Sequence, residues 1–263
     1  MVPRTAGARS GRFFQVPMAQ DLVIWCGPVS PANLKTARLP AGARVVTINR
    51  GAGKDPKAPN SGSSNFELLA SQVGGSLRTL LDGRGVDLDA FRSVTLAGFS
   101  AGWGLMEPLL RGTDGARVDV LYAADAYYTG PGRQVKPGYR AFLERAAAGR
   151  ALAILTTSHV AGPNYPSSAA AVEKLTEGLP LAPLSLAPEL PRPERAVGKL
   201  GCIWADYGSE PFKHVGHATK LAPLFFSHVV TPYLERRALP GASGAGDSTL
   251  EALAALGLLW VVA

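Results

Sequence analysis

The pentapeptide Gly98-Phe99-Ser100-Ala101-Gly102 lies between an apolar, β-branched run (93–97) and a stretch able to open a helix (102–107). A serine in a tight, positive-φ turn crowds the residues two places to either side, and glycine at both places removes the offending side chains. A serine so held stands proud of a sheet edge with the positive end of the next helix behind it. The chemistry is nucleophilic attack on a carbonyl. A serine hydroxyl does this poorly until an imidazole takes its proton, and the imidazole needs an acceptor to fix its tautomer. Four histidines are available: His159, His214, His217 and His228. His228 sits in the apolar run 224–230, where packing is the better use. Two carboxylates end apolar runs, Asp125 after 118–123 and Asp206 after 197–205. The segment after 151–156 reads Thr157-Ser158-His159-Val160 and offers no carboxylate, which puts Asp125 ahead and keeps Asp206 in reserve.

Other chemistries have weaker support. Gly51-Ala52-Gly53-Lys54 imitates a phosphate loop, but Ile48 replaces the required earlier glycine and Asp55 stands where Ser or Thr would meet magnesium. A turn is the better reading. Cys26 and Cys202 read as small hydrophobes in buried strands, and no Cys/His spacing suits a metal. The net charge of +7 comes from scattered residues without aromatic interleaving, so no nucleic-acid partner is expected. No apolar run is long enough to span a bilayer. Arg4, Arg9 and Arg12 precede no apolar segment, which points to a basic arm and a cytoplasmic protein, not a secretory leader. Trp103, Tyr127 and Tyr128 flank the proposed site and suit either a pocket lining or the core.

The elements that must position these residues alternate between short apolar strands and amphipathic helices, the pattern of a mostly parallel sheet covered on both faces. Strands are expected at 22–27, 44–49, 93–97, 118–123, 151–156 and 197–205. One helix is expected over 65–82, capped by Ser64 and Glu67 and stopped at Gly83. Others are expected near 139–148 and 168–177, stopped at Gly149 and Gly178. The proline-rich stretch 179–194 reads as a loop, a candidate cover for the cleft. The domain plan is a basic arm (1–20), one α/β domain (21–238), and a flexible hinge with an apolar tail packed on the body (239–263).

With its strand–turn–helix setting, the Gly98–Gly102 motif resembles the nucleophile elbow of the α/β-hydrolase superfamily, and the resemblance covers about 21–234. It implies a three-layer α/β-hydrolase fold of about eight strands and a catalytic triad in the chain order Ser, acid, His. The base then follows the last strand, which leaves His214 and His217, one turn apart; His214 is favoured because the loop 208–213 delivers it to a helix entrance. Asp125 matches members that take the acid one strand earlier. The oxyanion hole would combine the N–H of Ala101 with one from Gly27, Val29 or a neighbour, since Pro28 has none. The implied activity is that of a serine hydrolase, esterase-like and acting through an acyl-enzyme on a small-molecule or acyl substrate, with no cofactor. Acyl transfer by the same triad, or a catalytically idle binding protein, are the alternatives. The sequence does not fix an oligomeric state.

Overall fold

The computed structural model describes residues 20–27, 34, 36–49, 62–129, 134–162, 165–209, 212–238 and 259–261. The basic arm, Pro28 and Val29, the turn Gly51–Asp55 and most of the hinge and tail lie outside them. Among the described residues nine strands form one sheet: β1 (Gln20–Cys26), β2 (Arg44–Ile48), β3 (Phe91–Phe99), β4 (Val120–Ala124), β5 (Leu152–Thr157), β6 (Ala182–Leu186), β7 (Arg195–Lys199), β8 (Cys202–Asp206) and β9 (Leu259–Val261). Their order is β2-β1-β3-β4-β5-β8-β7-β6-β9. The first six in that order are mutually parallel, and β7, β6 and β9 each join antiparallel to the strand before.

Successive side chains of a strand face opposite sides, and here both sides are buried. On one side Leu22, Ile24 and Cys26 of β1 and Val94 and Leu96 of β3 meet helices α1 (Gly62–Gln72), α2 (Leu77–Asp82), α3 (Trp103–Arg111), α4 (Pro137–Ala147) and α5 (Ser168–Thr176), through residues such as Phe66, Leu80, Leu105, Phe142 and Val172. On the other, Val23, Trp25, Ala97, Phe99 and Tyr122 meet Leu221, Phe225, Phe226, Val230 and Tyr233. These last residues belong to one long helical stretch: α6 (Lys213–Gly216), α7 (Ala222–Phe225) and α8 (Thr231–Arg237), joined by π-helical turns at His217–Leu221 and Phe226–Val230. Pro223 and Pro232 each fall two residues after a wide turn. A proline removes the N–H that an α-helix would donate back, and a wider turn absorbs the mismatch. The result is the expected α/β architecture, a mostly parallel sheet between two helical layers.

Three expectations need correction. The helix 65–82 is two helices, because Gly74 and Gly75 take φ of 59° and 66° between α1 and α2. Helix α1 already begins at Gly62, so Ser64 lies inside it and is not its cap. The run 197–205 is a hairpin, β7 and β8, turned at Leu200 (φ 50°) and Gly201. Lys199 and the two glycines around the turn stand in an otherwise apolar run that reads as one strand. The stretch 179–194 contains β6, which extends the sheet at its antiparallel edge and does not cover the carboxyl ends of β3 and β4. Its Pro183 pairs only with Val197, near the start of a short ladder that tolerates the missing N–H.

Cys26 and Cys202 are both fully buried and free. They sit on β1 and β8, four strand spacings or about 19 Å apart, far beyond disulfide reach. Burial pushes both thiols up to about 12. Both should stay unreactive towards a thiol reagent at pH 8 in the native protein, react fully in denaturant, and give no linked peptide in non-reducing mass spectrometry.

Candidate active site

Parallel register lines up the site. Phe99, Ala124, Thr156 and Ala205 pair in one row across β3, β4, β5 and β8. The next row is therefore Ser100, Asp125, Thr157 and Asp206, at the carboxyl edge where open α/β sheets hold their ligands. Ser100 and Asp125 both leave the sheet in the left-handed region, with φ of 51° and 47°. Each such non-glycine residue costs on the order of 1–3 kcal/mol unless its surroundings enforce it.

At Ser100 the enforcement is close packing. The strand ends at Phe99 and the chain turns at once through a 3₁₀ turn, Ser100–Gly102, into α3. A Cβ on Gly98 would fall 2.3 Å from Met106 Sδ and 2.6 Å from the Cys26 carbonyl oxygen; one on Gly102 would fall 2.2 Å from that same oxygen. The elbow is thus pressed against the end of β1, and only hydrogen fits between.

The imidazole of His214 bridges the two strand ends. Its Nε2 lies 2.7 Å from Ser100 Oγ and its Nδ1 lies 2.6 Å from Asp125 Oδ2. Phe99 packs on the ring, with centroids 4.6 Å apart. His214 enters from the start of α6, after Lys213 at φ 38°, and its side chain is 31% exposed. Asp125 is fully buried. Burial alone would push its carboxyl up, but the hydrogen bonds from His214 and Ser168, with the positive charge His217 and His214 carry when protonated at low pH, hold it below the usual carboxylate range. An anionic Asp125 accepts from His214 Nδ1–H and leaves Nε2 bare towards the serine hydroxyl. Tyr128 Oη stands 3.3 Å from the same Nδ1, and the Tyr128 ring packs edge-on against Tyr165. Burial raises its phenol, so it stays neutral beside the carboxylate.

The other candidates fall elsewhere. His217 is fully buried, with Nδ1 3.1 Å from Thr156 Oγ1, and burial lowers it to about 4. It is a neutral core imidazole and not the partner of Ser100. Asp206 lies two strands beyond Asp125 and is engaged by His159 Nε2 (2.8 Å), the Thr157 hydroxyl (3.1 Å) and the Gly208 N–H (3.2 Å). His228 lies in the second π turn. Tyr127 is a core residue, edge-on to Tyr139. Trp103 opens α3 with the Lys136 ammonium 4.7 Å from its ring centroid. Gly27 must be corrected as an oxyanion donor, because its N–H donates to the Ile48 carbonyl at 3.2 Å and so extends the β1–β2 ladder. Ala101 follows Ser100 in the first turn ahead of α3, where N–H groups have no intrahelical acceptor.

Sequence reasoning passed over Ser158 and Ser168. Both hydroxyls donate to Asp125, Ser158 Oγ to Oδ2 at 2.7 Å and Ser168 Oγ to Oδ1, and the Ser158 N–H reaches Oδ1 at 3.1 Å. Their signal in the sequence is confined to the hydroxyl-rich segment after β5, which contains Ser158. Among the described residues no group of three or more His, Cys, Asp or Glu could hold a metal ion, and no helix is long and apolar enough to cross a membrane.

No protein-family model and no curated protein matches the chain. Among solved structures, the crystal structure of the lin2722 gene product from Listeria innocua is similar over 80% of this chain and 93% of that one, with 9% sequence identity and a TM-score of 0.37.

Two outcomes are expected. Gly102→Ala should destabilise the fold by about 1–3 kcal/mol in denaturant titration, since its methyl meets backbone that cannot swing away. His217 folds neutral, with a pKa near 4 against 6.5 for the free side chain, so its contribution is full above pH 6.5 and lost as pH falls towards 4. The drop in denaturation midpoint between pH 7 and 4.5 should therefore be smaller in His217→Gln than in the wild type.

Proposed function

We propose that this protein is a serine hydrolase that cleaves a carboxylic ester, or less readily an amide, through an acyl-enzyme. The observation that carries this reading is the unbroken line from Ser100 Oγ through His214 to Asp125, with bonds of 2.7 and 2.6 Å. The strained backbone at Ser100 supports it, since such strain concentrates where function demands it.

In this mechanism Ser100 Oγ attacks the carbonyl carbon as its proton passes to His214 Nε2. Negative charge gathers on the carbonyl oxygen, for which the Ala101 N–H is the candidate donor, with the positive end of α3 behind it. The imidazolium formed is stabilised by anionic Asp125. It returns the proton to the leaving alkoxide, and the C–O bond breaks to leave the acyl group on Ser100. Water then attacks the acyl carbon while His214 takes its proton, and collapse breaks the acyl–Oγ bond as His214 gives that proton to Ser100 Oγ, releasing the carboxylic acid. Every proton is accounted for by one imidazole, so the reaction needs no cofactor. An alcohol in place of water would give acyl transfer by the same steps.

A fluorophosphonate probe should label wild-type protein at Ser100, and Ser100→Ala should abolish both labelling and ester hydrolysis with an unchanged circular dichroism spectrum. Asp125→Asn should lose turnover by up to about 10⁴, the scale set by the wrong imidazole tautomer in a serine protease. His214→Gln should be as severe, whereas Asp206→Asn should stay within a few fold of wild type. Near-native turnover in Ser100→Ala would overturn the reading. A crippled Asp206→Asn beside an active Asp125→Asn would reassign the acid.

A further inference from the structure

The buried carboxylate of Asp125 is held by more than the histidine it faces. Four donors converge on its two oxygens: His214 Nδ1 and Ser158 Oγ on Oδ2, Ser158 N and Ser168 Oγ on Oδ1. Its own N–H is tied to the Thr156 carbonyl at 2.7 Å. The two serines come from different places. Ser158 is the first residue beyond β5, and Ser168 is the first residue of α5. Both are fully buried. They are also joined to each other, with Ser158 N–H 3.0 Å from Ser168 Oγ and Ser168 Oγ 3.2 Å from the Ser158 carbonyl oxygen. The Ala169 N–H donates to that same carbonyl at 3.2 Å, which pins the start of α5 to the end of β5.

We infer that Ser158 and Ser168 are positioning residues for the proposed hydrolysis: together they clamp the Asp125 carboxylate so that Oδ2 stays aimed at His214 Nδ1. The inference rests on the serine-hydrolase reading and adds two residues to it. Its physical basis is a choice between rotamers. A carboxylate with one partner can turn about its χ2, which is a broad, two-fold torsion. Donors on both oxygens remove that freedom, because any turn breaks charge-assisted hydrogen bonds that burial prevents water from replacing. Packing alone would be met by any small residue at 158 and 168. The geometry instead places a hydroxyl at each, and both are directed at the same carboxylate.

The test compares Ser158→Ala, Ser168→Ala and the double variant with Ser168→Cys and Ser168→Thr, all in the full chain. Active-site titration with a fluorophosphonate corrects each rate to folded, reactive enzyme. Each alanine variant should lose about 10-fold in kcat and the double variant about 100-fold or more, with KM within three-fold of wild type. Cysteine fills the space but donates weakly, so it should resemble alanine, and threonine should recover most of the rate. The downfield proton signal of the His214 Nδ1–H bonded to Asp125 should weaken or move upfield in the double variant. If the double variant folds and keeps wild-type kcat and that proton signal, the clamp is refuted while the hydrolase stands. If cysteine rescues as well as threonine, the residues are packing groups and the inference is likewise refuted. Loss of activity in Ser100→Ala, run in parallel, tests the underlying reading separately.

Discussion

A fully buried, ionised carboxylate is the constraint on which the rest of the site depends. Removing such a group from water costs several kcal/mol even after relaxation, unless hydrogen bonds and an opposite charge replace the lost hydration. Asp125 meets this requirement with donors from three separate parts of the chain: the end of β5, the first turn of α5 and the start of α6. Satisfying one side chain thus fixes the relative placement of the elements that follow β4. The left-handed backbone of Asp125 is tolerable for the same reason, since its N–H and both oxygens are held at once.

The elbow at Ser100 obeys a different constraint, steric instead of electrostatic. Gly98 and Gly102 let the turn sit against the Cys26 carbonyl, and Cys26 itself is small and buried at the end of β1. The backbone of the Ser100 turn is therefore held by close packing, on a strand flanked by β1 and β4. His214 connects the steric half of the site to the electrostatic half. Its side chain is 31% exposed, whereas that of Asp125 is fully buried.

Much of this was legible in the sequence because the informative residues act locally. A serine between two glycines declares its own backbone strain, and buried parallel strands declare themselves by continuous apolarity. The turn at Leu200 was concealed because Lys199 and its flanking glycines stand in an otherwise apolar run that reads as one strand. The break at Gly74 and Gly75 was lost under a hydrophobic period that continues in phase from α1 into α2. His214 and His217 are three residues apart, and sequence alone offered only the helix entrance to rank them. Burial separates them outright, one bridging the strand ends and the other sealed against Thr156. Ser158 and Ser168 were illegible for a deeper reason. Their role exists only through Asp125, and no local pattern marks a hydroxyl that serves a carboxylate on another strand.

Asp125 and Asp206 are alike in sequence, each ending an apolar strand, and they occupy the same row of the sheet edge. What distinguishes them is lateral distance. Asp125 is one strand from Ser100, and Asp206 is three strands away, or about 14 Å at ordinary strand spacing. An imidazole is too short to hydrogen-bond both a carboxylate and a hydroxyl across that span, so His214, bonded to Ser100, meets Asp125 and not Asp206. The separation also frees Asp206 to pair with His159, which completes a second His–carboxylate couple on the same edge. That couple resembles the first in chemistry but has no serine in a strained turn beside it. Near-identical side-chain pairs thus acquire different uses from strand order alone, a property of the whole sheet that neither pair contains.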